Sequence, residues 1–156
     1  MDCKERLSGY LREQGVAFES LTHPQAYTMQ EVAAEVHESG KQVAKVVMVK
    51  ADSRHVMLVV PASHRLNFAR VGKLLNAERV SLAKEEEFAG LFPDCAPGAM
   101  PPFGNLYQVP VYVDQALANQ DEILFRVGTH RDAIKMAYAD YARLVQPTIG
   151  DFAWLP

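Results

Sequence analysis

The sequence predicts an α+β fold in a single domain that spans residues 1–156. Helical and strand-like segments follow one another without the regular βαβ rhythm of a doubly wound parallel sheet. A length of 156 residues suits one domain around one hydrophobic core. Hydrophobic residues make up 49% of the chain and charged residues 22%, which is ordinary for a globular protein and argues against disorder.

Two helices and a short strand are predicted before residue 41. Apolar residues recur at helical spacing over residues 2–14, and Gly15 is typical of a helix C-terminus. Residues 16–21 alternate in the manner of a short strand. Thr28 opens a Thr-Met-Gln-Glu capping box, which predicts a second helix ending near Gly40.

The next segments predict a hairpin followed by a helix. Residues 43–51 and 54–60 are rich in β-branched side chains and are separated by an Asp-Ser turn, which favours an antiparallel hairpin. Asn67 can cap a following helix. The apolar residues expected on the inner face of that helix are Phe68, Val71, Leu74 and Leu75. A short strand over 80–82 and a charged helix over 84–91 come next.

The second half predicts a hairpin and a final helix. A strand over 109–113 contains Pro110, which suggests an edge or irregular position. Residues 123–127 and 133–137 form two further strands around a tight polar turn. A helix is expected over 140–145, and residues 147–156 are expected to be a tail.

Charge and apolar patterning limit the classes of partner and of compartment. The net charge is −3, so any contact with nucleic acid should be local rather than extensive. No apolar run approaches the roughly 18 residues of a membrane helix, and the charged N-terminus does not resemble a signal peptide. Cys3 and Cys95 lie far apart without a Cys-x-x-Cys pattern, which suggests a reducing compartment. We therefore expect a cytoplasmic chain without structural zinc.

The loop over residues 98–104 is the most distinctive segment. Its sequence is Gly-Ala-Met-Pro-Pro-Phe-Gly, in which two prolines fix backbone angles and two glycines permit close approach. We interpret it as a preformed wall that offers backbone groups to a small ligand. A structural turn before a strand explains it equally well.

Two side chains are the main candidates for chemistry. Strand alternation places Lys45 on the same face as several valines, where a lysine must snorkel, pair with another group or bind a ligand. His130 lies in a glycine-preceded turn between two strands, where it could face a cleft or solvent. Cys95 could act as a nucleophile, or it could fill space as a small semi-buried residue. No histidine or cysteine has metal-ligand spacing, so neither a metal nor another cofactor is predicted.

The ordered set of Ala-Lys45-Val-Val-Met-Val, the 98–104 loop and Gly128-Thr129-His130 resembles the YbaK/prolyl-tRNA-synthetase-associated editing domain family. The likeness runs from about residue 22 to residue 144. It implies a curved, mostly antiparallel mixed sheet or partly open barrel with surrounding helices. It also implies a free-standing hydrolase that cleaves the ester bond of mischarged tRNA in trans.

The resemblance also assigns residues to roles. Lys45, Gly98 and His130 fall on the catalytic positions, with Lys45 expected to bind the phosphate or carbonyl end of the substrate. His130 is expected either to be catalytic or only to line the amino-acid pocket. The residues that fall on substrate-binding positions are Thr28, Met100, Pro101, Pro102, Phe103, Gly104, Gly128 and Thr129. Pro101 stands where the commoner family loop has serine or threonine, so no amino-acid preference is carried over.

Three functions remain open at this point. The leading one is an aminoacyl-tRNA deacylase, whose partners would be the aminoacyl-tRNA acceptor end and, as a further candidate, a tRNA synthetase. An activated ester needs a positioned water, an oxyanion held by backbone amides and a fixed cation, without a strong nucleophile. The alternatives are a non-catalytic tRNA- or nucleotide-binding module of the same fold and a small-ester hydrolase that uses Cys95.

Overall fold

The structure, a computed structural model, describes residues 2–22 and 40–156. The helices in these ranges are α1 (Cys3–Glu13), α2 (Phe68–Leu75), α3 (Glu85–Phe88), α4 (Gln115–Ala118) and α5 (Tyr138–Val145), with 3₁₀ turns at Ala89–Leu91 and Gly104–Leu106. The strands are β1 (Phe18–Thr22), β2 (Ala44–Ala51), β3 (Arg54–Pro61), β4 (Arg65–Leu66), β5 (Val80–Leu82), β6 (Val111–Asp114), β7 (Glu122–Arg126), β8 (Asp132–Ala137), β9 (Thr148–Gly150) and β10 (Ala153–Trp154).

The described strands form two larger sheets and one small ribbon. The first sheet has the order β5-β2-β3-β6-β9, antiparallel around β2 and parallel where β6 meets β3 and β9. The second is the antiparallel set β1-β8-β7, and β10 pairs with β4. A parallel bridge from Val43 to Leu124 brings the two larger sheets together. The predicted α+β fold with a mixed sheet is confirmed, and the described strands do not close into a barrel.

An aromatic cluster in the main core holds the 98–104 loop. The Phe103 ring lies 5.7 Å from the Phe125 ring and 5.2 Å from the Tyr141 ring, measured between centroids. The buried Tyr141 hydroxyl donates to the Pro102 carbonyl oxygen at 2.7 Å. Because buried polar groups are costly without a partner, this bond fixes the loop against α5 and β7.

The predicted hairpin and capped helix are present, with one correction. β2 and β3 pair along their full length around the turn at Asp52. Asn67 Oδ1 accepts the Arg70 N–H at 3.1 Å and caps α2. Phe68 was expected on the inner face of this helix but is 41% exposed, whereas Val71 and Leu75 are buried in the apolar cluster that the helix covers.

Of the two positions that Pro110 suggested, edge or irregular, the structure shows the irregular one. β6 lies between β3 and β9 inside the first sheet. Pro110 precedes the strand, where its missing N–H removes no ladder bond. Its carbonyl oxygen still accepts the Met57 N–H at 2.9 Å and starts the pairing with β3.

The prediction of a C-terminal tail is wrong, because residues 148–154 contribute β9 and β10. The buried carboxylate of Asp114 holds this segment. Its Oδ1 accepts the N–H groups of Phe152 and Ala153, each at 2.9 Å. The Asn67 N–H donates to the Phe152 carbonyl oxygen at 2.8 Å, so the segment is bound on both sides.

The two cysteines, whose spacing suggested a reducing compartment, are paired in the structure. Cys3 and Cys95 form a disulfide with their Cα atoms 5.1 Å apart, although 92 positions separate them in sequence. The pair ties the start of α1 to the segment that leads into the 98–104 loop, and it removes the basis for inferring a reducing compartment. None of the helices within residues 2–22 and 40–156 is long and apolar enough to span a membrane.

Candidate active site

A cavity of about 740 Å³ opens where the two larger sheets approach each other. Its lining comes from the start of β2, the connection between β3 and β4, the beginning of the 98–104 loop, and the β7–β8 hairpin. The lining residues are Ala44, Lys45, Val46, Ala62, Ser63, His64, Arg65, Glu85, Pro97, Gly98, Met100, Arg126, His130 and Pro156. With Glu85 on α3 and Pro156 near the C-terminus added to these four regions, six separate parts of the sequence converge on one space.

Lys45 stands on β2 at one wall of the cavity. Its half-buried ammonium donates to the His64 carbonyl oxygen at 3.2 Å. Burial lowers the pKa of Lys45, and the positive charge of Arg65 lowers it further. An ammonium group has three donors, so this bond leaves donors for a bound carbonyl or phosphate oxygen.

The approach to Gly98 is fixed by paired backbone bonds. The Ala96 N–H donates to the Gly128 carbonyl oxygen and the Gly128 N–H donates to the Ala99 carbonyl oxygen, both at 2.8 Å. Gly98 has a φ of +80°, a conformation that disfavours residues with a Cβ. The loop therefore presents the Gly98 backbone to the cavity in a set position.

His130 and Arg126 reach the same loop from the β7–β8 hairpin. His130 Nε2 lies 3.1 Å from the Pro97 carbonyl oxygen, and the Arg126 guanidinium donates to the Gly98 carbonyl oxygen at 3.4 Å. Arg126 is only 5% exposed, so its charge lies in a poorly hydrated wall. The two side chains thus contact two consecutive carbonyl groups, those of Pro97 and Gly98.

The remaining residues of the 98–104 loop divide between cavity and core. Met100 lines the cavity. Pro101, Pro102, Phe103 and Gly104 are buried outside its lining. A Cβ on Gly104 would lie 2.5 Å from the Val109 carbonyl oxygen, so packing accounts for this glycine. These four residues lie behind the wall.

Gly128 and Thr129 shape the turn that carries His130. Gly128 has a φ of +85°, and a Cβ there would lie 2.9 Å from the Cys3 Cβ. The Thr129 hydroxyl donates to Asp132 Oδ2 at 2.7 Å and accepts the Asp132 N–H at 3.1 Å. Both lie outside the cavity lining, and Thr28 lies outside the described residues.

Three nitrogen-bearing side chains of the cavity, those of His64, Arg65 and Arg126, were missed in the sequence. Arg126 could have been found, because it is a charged residue inside the apolar strand predicted over 123–127. The sequence around His64 and Arg65 contains no comparable pattern that would have identified them as site residues. Together with Lys45 and His130 they make the wall rich in nitrogen groups, and Glu85 supplies the carboxylate in the described lining.

The described residues include no group of three or more His, Cys, Asp or Glu side chains that could hold a metal ion. The cavity instead offers cations and backbone groups. Such a set can bind an anionic ligand and stabilise an oxygen that gains negative charge during a reaction.

Comparison with known proteins finds relatives that act on tRNA. The chain is 28% identical over 154 residues to the multifunctional Ser/Thr-tRNA deacylase ProXp-y of Escherichia coli K12, covering 95% of this chain and 91% of that protein. It is 34% identical over 140 residues to the proline–tRNA ligase of Bacillus velezensis, covering 83% of this chain. The chain spans about a quarter of the length of that ligase.

Solved structures share the fold. A candidate trans-editing enzyme for prolyl tRNA synthetase superposes with a TM-score of 0.83 at 22% identity, covering 96% of each chain. The aminoacyl-tRNA editing domain family matches residues 23–144, which include the cavity residues from Lys45 to His130. The chain therefore belongs to the aminoacyl-tRNA editing domain family.

Proposed function

We propose that residues 1–156 act as one editing domain that hydrolyses the ester bond of mischarged aminoacyl-tRNA in trans. The observation that carries this proposal is the convergence of Lys45, Gly98 and His130 on one cation-rich cavity. Membership in the aminoacyl-tRNA editing domain family supports it. The name of the E. coli relative, a Ser/Thr-tRNA deacylase, supports the same reaction.

Hydrolysis of the ester proceeds in three steps. Water attacks the ester carbonyl carbon, the carbonyl oxygen becomes an oxyanion, and the bond to the ribose oxygen then breaks. Lys45 and the Gly98 backbone stabilise the oxyanion, since preorganised charges and dipoles act strongly in a poorly hydrated site. The attacking water gives up a proton, and the vicinal ribose hydroxyl can relay it to the ribose oxygen as that oxygen leaves. The products are a free amino acid and uncharged tRNA.

His130 and Arg126 position the loop in this scheme. They hold the Pro97 and Gly98 carbonyl groups at 3.1 and 3.4 Å, which keeps the Gly98 backbone at the cavity. Met100 and Ala62 contribute apolar lining. Because a hydrophobic pocket separates substrates that differ by one methylene by only ~1–3 kcal/mol, exclusion by volume is the effective filter.

We infer that the chain acts on the aminoacyl-tRNA acceptor end, with a tRNA synthetase as a further partner. We place it in the cytoplasm because the proposed substrate is used there; the disulfide gives this assignment no support. The test is a deacylation screen over a panel of mischarged tRNAs with purified protein. Release of free amino acid from at least one member supports the proposal. Binding of every member without release would favour the non-catalytic nucleotide-binding alternative, for which Lys45 could bind a phosphate.

A further inference from the structure

The C-terminal ribbon places an aromatic side chain at the rim of the cavity. Trp154 on β10 is the cross-strand partner of Arg65 on β4. Directly opposed residues of an antiparallel pair lie on the same face of a sheet. Arg65 lines the cavity and Trp154 does not, so the 47% exposed Trp154 lies beside the lining, on the ribbon face that it shares with Arg65.

The chain after Trp154 continues along the same rim. Pro156, two residues further on, also lines the cavity. An indole ring left half exposed beside a cavity is a large apolar surface whose burial would be favourable. The neighbouring groups decide which ligand would cover it.

The ribbon that carries Trp154 is firmly held. Asp114 is 2% exposed, and its Oδ1 accepts two consecutive N–H groups of the segment, those of Phe152 and Ala153. The Phe152 ring is fully buried, in the same apolar cluster as Val71 and Leu75 of α2. The position of the indole is therefore set by buried contacts one and two residues away.

The charges beside the indole complement a phosphate backbone. Arg65 lies directly across the ribbon from Trp154. The positive charge of Arg65 lowers the pKa of Lys45, so these two cations lie close together. The chain as a whole carries a net charge of −3, so this positive rim is a local feature. An aromatic ring beside cations is the usual arrangement for binding unpaired nucleotides, since bases stack and phosphates pair.

We propose that Trp154 is a stacking platform for an unpaired base at the 3′ end of the tRNA, with Arg65 contacting the adjacent phosphate. This inference rests on the proposed function, which brings that single-stranded end to the cavity. It assigns substrate binding to the β4–β10 ribbon in addition to the Gly98 loop. The amino acid and the terminal nucleotides would then be held by different parts of the chain.

Trp154 is the one tryptophan in the sequence, so its fluorescence reports on this position alone. The experiment titrates the full chain with an uncharged hairpin RNA that has a single-stranded 3′ tail. The same hairpin with a blunt end is the matched ligand control. We expect the tailed RNA to quench the fluorescence in a saturable way and the blunt RNA to leave it nearly unchanged.

Variants separate stacking from other contributions, with affinity measured by anisotropy of the labelled tailed hairpin. Trp154→Ala should weaken binding about tenfold or more, the effect of losing one stacked base. Trp154→Phe should retain most of the affinity because its ring can still stack. Leu155→Ala, which truncates an exposed neighbour, should bind as the wild type does.

The outcomes for the platform and for the enzyme are distinguishable. Equal quenching by tailed and blunt RNA, absence of quenching, or unchanged affinity in Trp154→Ala would each overturn the platform. Hydrolysis of mischarged tRNA by the wild type would still stand in those cases. Tail-dependent quenching by a protein that hydrolyses no mischarged tRNA would keep the platform and reject the deacylase.

Discussion

The ammonium group of Lys45 donates to the main-chain oxygen of His64 at 3.2 Å. This bond joins β2 to the connection between β3 and β4, and it holds a positive charge at the cavity wall. Burial and the neighbouring Arg65 both lower the pKa of Lys45. The site therefore keeps a cation where a charged group is disfavoured, which is common at functional positions.

The pH dependence of hydrolysis should follow the protonation of Lys45. Activity should fall on the alkaline side as the ammonium loses its proton, because the neutral amine stabilises an oxyanion less well. Arg65→Gln removes a positive neighbour that lowers the pKa of Lys45. The alkaline fall should therefore move to higher pH in this variant. The measurement is the single-turnover rate at saturating protein, with uncatalysed ester hydrolysis subtracted at each pH.

Lys50→Gln is the control for that experiment, since Lys50 is an exposed cation on the same strand. The fall of its hydrolysis rate at alkaline pH should occur at the same pH as in the wild type. An alkaline fall that stays in place or moves to lower pH in Arg65→Gln would show that Lys45 does not govern the reaction.

Substitution at Gly98 should slow hydrolysis. Gly98→Val introduces a Cβ at a φ of +80° and branches beside His130, whose Cε1 would lie 3.5 Å from that Cβ. We expect a loss of at least about tenfold, which corresponds to about 1.4 kcal/mol of transition-state stabilisation. Binding of uncharged tRNA should change much less. Single-turnover hydrolysis, tRNA binding and circular dichroism are the measurements.

Gly15→Val is the control for Gly98→Val, because it introduces the same backbone strain at a glycine away from the cavity. Gly15 has a φ of +68°, a Cβ there would meet no atom within 4 Å, and the residue lies outside the cavity lining. This variant should lose stability while keeping its hydrolysis rate. Equal rates for the wild type and a folded Gly98→Val protein would show that the loop is not part of the active site.

The cysteine pair should contribute to stability and not to hydrolysis. Cys95→Ser should keep the hydrolysis rate, since the structure engages Cys95 with Cys3. The same variant should lower the free energy of unfolding by about 2–4 kcal/mol relative to the oxidised wild type. Urea unfolding with and without reductant measures this, because the reductant should remove most of the difference. Loss of hydrolysis in folded Cys95→Ser would restore the hypothesis of a thiol nucleophile.

Hydrolysis should also survive exhaustive chelation. The described residues offer no clustered ligand set, and the proposed chemistry uses Lys45 and backbone groups. The measurement is the deacylation rate before and after treatment with a chelator. Loss of activity that zinc restores would mean that a metal takes part in the reaction.

Local patterns predicted much of the fold. The β2–β3 hairpin followed from β-branched runs around Asp52, and Asp52 does adopt a positive φ of 55° in the turn. The C-terminal ribbon was missed because its strands depend on the distant carboxylate of Asp114. The disulfide was missed for a similar reason, since the fold alone brings Cys3 to Cys95.

The candidate site was predicted less completely than the fold. The composition of the 98–104 loop indicated a stiff wall, but it could not show that Phe103 faces the core while Met100 faces the cavity. Arg126 was missed because it was counted within an apolar strand. Such assignments depend on which face of the chain meets the neighbouring sheet, and that is decided by tertiary packing.

The most direct test is the single-turnover hydrolysis of a mischarged tRNA by Lys45→Ala, with Lys50→Ala as the matched lysine control on β2. Loss of the cation at the oxyanion should lower the rate by about 100-fold or more in Lys45→Ala. Lys50→Ala should hydrolyse at the wild-type rate, and circular dichroism should show both variants folded. A folded Lys45→Ala protein with full activity would contradict the account.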